Sequence, residues 1–189
     1  MLAHAAPDAI AITPNGKTAY VVNYNSGTVT PIDTATNVVT ATIPVGSYPA
    51  AIAITPNGDT VYVVNYNSGT VTPIDTANNI AGTAITVGSN PGLVAITPNG
   101  KTAYVANLRS GTVTPIDTAT NKVVTTAAGA PITIPVGSYP DAIAITPNGA
   151  TAYVANSTDG TVTPIDTANN TAGTAITVGF SPDAIAITP

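Results

Sequence analysis

The sequence predicts an all-β chain: a β-propeller of four-stranded antiparallel blades, four blades per chain. Two observations carry this expectation. One octapeptide recurs at near-constant spacing, and each repeat holds four short strand-forming segments divided by turn signals. Pro-Asp-Ala-Ile-Ala-Ile-Thr-Pro begins at Pro7 and returns at Pro140 and Pro182, with close variants at Pro49 and Pro91. The spacings are 42, 42, 49 and 42 residues, and a seven-residue insertion at about 125–131 accounts for the long one. The repeats are therefore 7–48, 49–90, 91–139 and 140–181 of one propeller domain spanning 1–189, and 182–189 duplicates the inner strand. Four strands in about 40–45 residues is the size of one propeller blade.

In the first repeat the predicted strands are 9–13, 18–23, 28–32 and 38–45, all rich in Val, Ile, Thr and Ala and without helical periodicity. Pro14-Asn15-Gly16 ends the first, with Pro pre-set for a turn and Gly free to take positive φ. Asn25-Ser26-Gly27 ends the second, and the third runs into Asp33-Thr34-Ala35-Thr36-Asn37. There the carboxylate can accept from N–H groups two or three residues on. Asp75, Asp117 and Asp166 repeat this Asx turn. Asn23, Asn65, Asn107 and Asn156 recur at the end of the second strand, where an amide can satisfy buried loop backbone. The first strand is apolar on both faces, as a sheet sandwiched between neighbours requires. Its alanines suit a crowded inner position. Pro44 and Pro135 make the fourth strand the outer edge, where proline discourages pairing with other chains. Pro31, Pro73, Pro115 and Pro164 fall inside the third strand, so a bulge or a lost ladder bond is expected there. Tyr20, Tyr62, Tyr104 and Tyr153 are expected to be buried between blades, with Ile10, Ile54, Ile96 and Ile145 buried nearby or equivalently. The insertion is expected to lengthen the turn between the third and fourth strands.

Charge narrows the function classes. Apolar residues make up 44 % of the chain and charged ones 7 %; four Lys+Arg face nine acids, all Asp, for a net charge of −5. Nucleic acid needs a basic footprint, and an anionic membrane surface is equally unattractive to this chain. No disulfide or thiolate–metal site is open to a chain without cysteine. No apolar run reaches the roughly 18 residues that a membrane span needs. Residues 1–6 lack the basic and long apolar regions of an intact signal peptide. A surface made polar by Thr, Asn and Ser points to a secreted or cell-surface protein.

The second strands read Tyr20-Val21-Val22-Asn23, Tyr62-Val63-Val64-Asn65, Tyr104-Val105-Ala106-Asn107 and Tyr153-Val154-Ala155-Asn156. With the Ser-Gly-Thr-Val and Ile-Asp-Thr-Ala segments that follow, the chain resembles the YVTN β-propeller repeat family over about residues 7–189. The third residue of the family's signature is Thr; here it is Val or Ala. The resemblance implies the fold and a microbial surface-layer or secreted setting. Virginiamycin B lyases, which are seven-bladed and metal-assisted, are similar in architecture alone.

Alternating strand direction brings two sets of loops to one end. Tyr24, Tyr66, Leu108 and Ser157 come from the loops after the second strands. Tyr48, Asn90, Tyr139 and Phe180 come from the loops ahead of the recurring prolines, and Arg109 breaks the repeat beside them. Aromatics amid Asn and Ser have the composition of adaptable binding surfaces. Tyr24, Tyr66, Tyr48, Tyr139, Phe180 and Arg109 are thus the candidate binding residues, for protein or glycan, against the plainer reading that each ring packs over its own loop. Asp8, Asp141 and Asp183 follow those prolines, but Ala50 and Gly92 interrupt any ring of carboxylates for a hard cation. His4 is the single histidine, the chain has neither Cys nor Glu, and no nucleophile is paired with a base. The expectation is a non-enzymatic structural or binding scaffold, with no catalytic residues, metal or cofactor. A lyase or hydrolase acting on the loop face of an assembled propeller is the rival. Medium-sized core residues suit sheets lying nearly parallel, so two chains are expected to complete an eight-bladed ring as a homodimer. A four-bladed monomer is the alternative.

Overall fold

The computed structural model describes residues 6–188, so His4 lies outside the described residues. Among the described residues every regular element is a strand. The chain divides into two compact units, Met1–Thr86 and Val87–Pro189, each holding two antiparallel sheets of the blade type.

In the first unit the first blade runs β1 (Pro7–Ile12), β2 (Thr18–Asn23), β3 (Thr28–Asp33), β4 (Val38–Val39) and β5 (Ile43–Pro44). The second blade repeats it as β6 (Pro49–Ile54), β7 (Thr60–Asn65), β8 (Thr70–Asp75), β9 (Ile80–Ala81) and β10 (Ile85–Thr86). In the second unit the third blade holds β11 (Pro91–Ile96), β12 (Thr102–Asn107), β13 (Thr112–Asp117), β14 (Lys122–Val123) and β15 (Ile134–Pro135). The fourth holds β16 (Pro140–Ile145), β17 (Thr151–Asn156), β18 (Thr161–Asp166), β19 (Thr171–Ala172) and β20 (Ile176–Thr177). The duplicated segment at 184–188 forms no strand, whereas β1 pairs with β2.

The outer strand departs from the expected continuous stretch at 38–45. It is two dipeptides, β4 and β5, both paired with β3. The third-strand proline is the reason. In an antiparallel ladder a residue's N–H and C=O face the same neighbour. Pro31 directs its carbonyl outward, to the Thr40 N–H at 3.0 Å, so its missing donor also faces outward. Pairing runs Ile32 with Val39 and then Val29 with Ile43. Three outer residues thus oppose two inner ones, the count that defines a bulge. Pro73, Pro115 and Pro164 accept from Gly82, Val124 and Gly173 in the same way. The insertion at 125–131 lies inside this gap, between β14 and β15, and not in the turn between the third and fourth strands as expected. It forms an exposed hairpin closed by Ile132 N–H to Val124 O and Thr126 N–H to Ala130 O, both 2.8 Å.

The turns follow the sequence. Asp33 accepts from the N–H groups of Ala35 (3.0 Å) and Thr36 (2.8 Å) and from the Thr36 hydroxyl. Those bonds hold its carboxyl below the usual carboxylate range, the Thr36 hydroxyl contributing most. The Asn side chains clamp the loop that leads into their own blade. Asn65 donates to the hydroxyls of Thr70 and Thr72 and accepts the Gly46 N–H at 3.0 Å. Asn107 holds Gly88 likewise at 3.0 Å. Asn156 keeps both threonine bonds, but its Oδ1 is buried without a donor among the described residues.

Each unit has its own core. Tyr20, Val22, Val29 and Ile43 of the first blade close on Val61, Val63 and Ile74 of the second. In the second unit Tyr104, Ala106, Val113 and Ile134 close on Ala152, Val154 and Ile165. Tyr20, Tyr62 and Tyr104 are buried as expected. Two expectations fail: Tyr153 is half-buried and Ile10 is 62 % exposed. Tyrosines on the second strand of a blade face the next blade, and Ile residues on its first strand face the preceding one. Within its own unit the fourth blade has no blade ahead of it and the first has none behind it. Ile54, Ile96 and Ile145 are half-buried.

The Tyr104 hydroxyl donates to Asn170 Oδ1 at 2.6 Å. Burial, reinforced by the Asp166 carboxylate, pushes its pKa up to about 12. For a phenol raised above its unfolded value of roughly 10, the stabilisation is complete below that value and is lost as pH climbs through the folded pKa. Stability is therefore expected to hold to about pH 10 and to fall toward pH 12. Tyrosinate absorbance and circular dichroism, titrated together, check this: the last phenol should ionise with loss of structure. Smooth ionisation of every tyrosine near pH 10, with the fold intact, would contradict it.

Candidate functional site

The loop ends of the first unit build a cleft of about 390 Å³. Its walls are backbone-locked. After β2 the chain turns at Asn23 to Gly27, with Gly27 at φ 63° and its N–H on Asn23 O. The strand-to-strand loop at 45–48 then threads between that turn and its counterpart after β7. Val45 N–H donates to Gly27 O at 2.9 Å, Gly46 N–H to Asn65 Oδ1, and Ser47 N–H to Ser68 Oγ at 2.7 Å. Tyr66 N–H reaches Tyr48 O at 2.9 Å and Asn67 N–H reaches Ser47 O at 3.2 Å.

Tyr48 adopts φ 51°, although it precedes proline and is not glycine. Such a conformation costs about 1–3 kcal/mol and persists only where the surroundings enforce it. Similar values at Asn90, Tyr139 and Ser181 make it a property of this loop in every repeat; the Tyr66 N–H adds a bond to the Tyr48 carbonyl that Ser181 lacks among the described residues. The kink lays the Tyr48 ring against Tyr24, centroids 4.9 Å apart and planes inclined by 39°, a tilted arrangement favoured by aromatic quadrupoles. Of that pair Tyr48 lines the cleft, together with the side chains of Asn25, Ser26, Ser47 and Asn67, and Tyr24 braces its ring. The result is a rigid floor, an aromatic wall and a rim of amides and hydroxyls.

Of the six candidate residues, the first unit brings together Tyr24, Tyr48 and Tyr66, the last through its backbone. In the second unit Tyr139 is 44 % exposed at φ 58°, and its carbonyl accepts from the Ser157 N–H and hydroxyl. Arg109 is exposed next to buried Leu108. Phe180 is fully exposed, yet it does not occupy the position of Tyr48. Ser181 does, directly before Pro182 and at φ 48°; Phe180 stands where Ser47 does. Asp159, another break in the repeat, takes over the bond made by Ser68 and Ser110, accepting the Ser138 N–H at 2.7 Å. The rim residues Asn25, Ser26 and Asn67 were legible only as turn formers. Their signal was the Asn-Ser-Gly triplet repeated at 25–27 and 67–69. No cluster of three or more potential metal ligands occurs among the described residues.

The family model described as lactonase, seven-bladed β-propeller, matches residues 2–178. Among solved structures the chain is similar to Kuenenia stuttgartiensis hydrazine synthase at 30 % identity and a TM-score of 0.83, covering 93 % of this chain and 50 % of that one. It is also similar to a functionally unknown protein from Desulfotomaculum acetoxidans DSM 771, at 22 % identity and a TM-score of 0.81, covering 96 % of this chain and 59 % of that one; this second likeness is one of fold alone. The chain thus spans between half and three-fifths of the length of these structures. No curated protein matches it.

Proposed function

The chain belongs to the lactonase, seven-bladed β-propeller family, and from that premise we propose that its blades, of the YVTN kind, form a non-enzymatic scaffold that holds a glycan in the cleft lined by Tyr48. The observation that carries this reading is the Tyr48 ring, braced by Tyr24, set beside Asn25, Ser26, Ser47 and Asn67. A sugar presents an apolar ring face and a fringe of hydroxyls, and such a cleft offers a partner for each. The locked loop at 45–48 lowers the cost of ordering the site on binding. The net charge of −5 suits a neutral ligand better than an anionic one. A surface polar through Thr, Asn and Ser supports placing the scaffold on the cell surface or outside the cell.

The family's name favours a second reading, hydrolysis of a lactone on the loop face of a larger propeller. One set of measurements separates the two. Binding to immobilised neutral oligosaccharides, followed by calorimetry on the strongest, is expected to weaken about five- to tenfold in Tyr48→Ala, the value of one aromatic contact. Equal affinity of the variant, binding only of polypeptides, or the absence of any glycan binder removes the glycan reading. Ring opening of simple lactones by the native protein establishes the second.

A further inference from the structure

We propose that the second unit carries a second cleft of the same build, at Tyr139 and Arg109, and that it takes a sugar bearing a carboxylate, a uronate. The frame is repeated bond for bond. Val136 N–H donates to Gly111 O at 3.0 Å, as Val45 N–H does to Gly27 O. Ser138 N–H donates to the Asp159 carboxylate at 2.7 Å, as Ser47 N–H does to Ser68 Oγ. Ser157 N–H reaches Tyr139 O at 3.0 Å and Thr158 N–H reaches Ser138 O at 3.3 Å, the bonds that Tyr66 and Asn67 make in the first unit. Gly27 and Gly111 share φ 63°. Tyr139 holds φ 58° before Pro140, and it is 44 % exposed, the exposure of Tyr48. Both units thus offer the same ring from the same backbone.

What the frame carries differs. Arg109 stands where Asn25 lines the first cleft, while Ser110 and Ser138 keep the hydroxyls of Ser26 and Ser47. At one rim position an amide therefore gives way to a cation, one of four in the chain. Arg109 is exposed, and its guanidinium has no hydrogen-bond or ion-pair partner among the described residues. The turn that presents it is anchored by Leu108, which replaces Tyr24 and is buried in the space that Gly92 leaves open. Two carboxylates belong to the same loops, Asp141 and Asp159, at the places of Ala50 and Ser68. Neither place lines the first cleft, and one Asp159 oxygen is bound to the Ser138 N–H. The remaining charge of the chain is screened beyond about 8 Å at physiological salt, whereas a carboxylate that reaches Arg109 gains two parallel charge-assisted bonds. A uronate supplies both partners, a pyranose face for the Tyr139 ring and a carboxylate for the guanidinium fork. This ligand class rests on the glycan reading, although the cleft is a different one.

Calorimetry on the full chain with trigalacturonate is expected to show binding that weakens as salt is raised. Arg109→Gln is expected to weaken it about ten- to hundredfold, the worth of hydrogen bonds to a charged group. Arg109→Lys keeps the charge and loses the fork, and is expected to recover only part of that loss. Tyr139→Ala is expected to cost about five- to tenfold. Both side chains are exposed, so the variants should fold, and circular dichroism checks that they do. Trigalacturonate bound equally well by Arg109→Gln overturns the proposal. So does native protein that does not bind it, or that prefers an acidic peptide of equal charge. The neutral oligosaccharides report separately. If they fail to bind while trigalacturonate binds through Arg109, the reading of the first cleft falls and the second cleft stands; if they bind through Tyr48 while trigalacturonate does not bind, the reverse holds.

Discussion

Replacing Tyr104 by alanine is expected to cost about 3–5 kcal/mol, the range for truncating a large aromatic in a packed core. The ring is fully buried and lies in a cluster with Val113, Ile134 and Ile165. Its removal leaves a cavity that two hydrogen-bonded sheets cannot collapse to fill. The hydroxyl adds a second loss, because Asn170 Oδ1 forfeits its donor. Tyr104→Phe separates the two and is expected to cost about 1 kcal/mol. Tyr153→Ala is the internal control: the same residue at the same blade position, but half-buried, and it is expected to cost distinctly less in the isolated chain. Urea unfolding followed by circular dichroism measures all three. Equal losses for Tyr104→Ala and Tyr153→Ala would show that burial between blades is not what holds the tyrosines.

The second large effect belongs to a glycine. Gly46→Ala is expected to cost about 2–5 kcal/mol, from overpacking and a lost bond to a buried amide. A Cβ there would stand 2.6 Å from Cγ of Asn65, well inside contact distance. Asn65 cannot step aside, since its amide is committed to Thr70 and Thr72 and its oxygen to the Gly46 N–H itself. Gly46 has no positive φ, so the penalty is steric and not one of backbone strain. Gly179 is the same residue of the fourth blade, and a Cβ there meets nothing within 4 Å. Gly179→Ala is expected to shift the stability of the single chain by less than about 0.5 kcal/mol. A Gly46→Ala variant as stable as Gly179→Ala would mean that the asparagine clamp does not hold the loop that leads into its blade.

Much of the fold was legible because its signals are local. Pro-Asn-Gly, Asn-Ser-Gly and the Asp-headed turns each dictate their own geometry, and three long strands per blade fell where the Val-, Ile- and Thr-rich segments lie. The broken outer strand was not legible in its own residues. Its cause is the absent N–H of a proline on the neighbouring strand, and propensity at 38–45 carries no trace of that. Exposure of Ile10 was hidden for a different reason: it stands at the same place in the repeat as Ile52, and what differs is whether a blade lies behind it. The site was half visible. Aromatic residues on loops meeting at one end located Tyr24 and Tyr48. Their contact depends on a left-handed tyrosine before proline, which local preference argues against and which recurs at the same place after every blade, even at Ser181, where no N–H among the described residues bonds the carbonyl.

The gap opposite the third-strand proline works as an expansion joint. Both outer dipeptides of the third blade keep the partners that their counterparts have elsewhere, although the chain between them is seven residues longer. Extra length is extruded as a self-closing hairpin and never transmitted to the inner strands. Every blade carries the same joint, so the architecture offers four equivalent ports at which lineages, or a protein engineer grafting a peptide, can add sequence without disturbing the ladder.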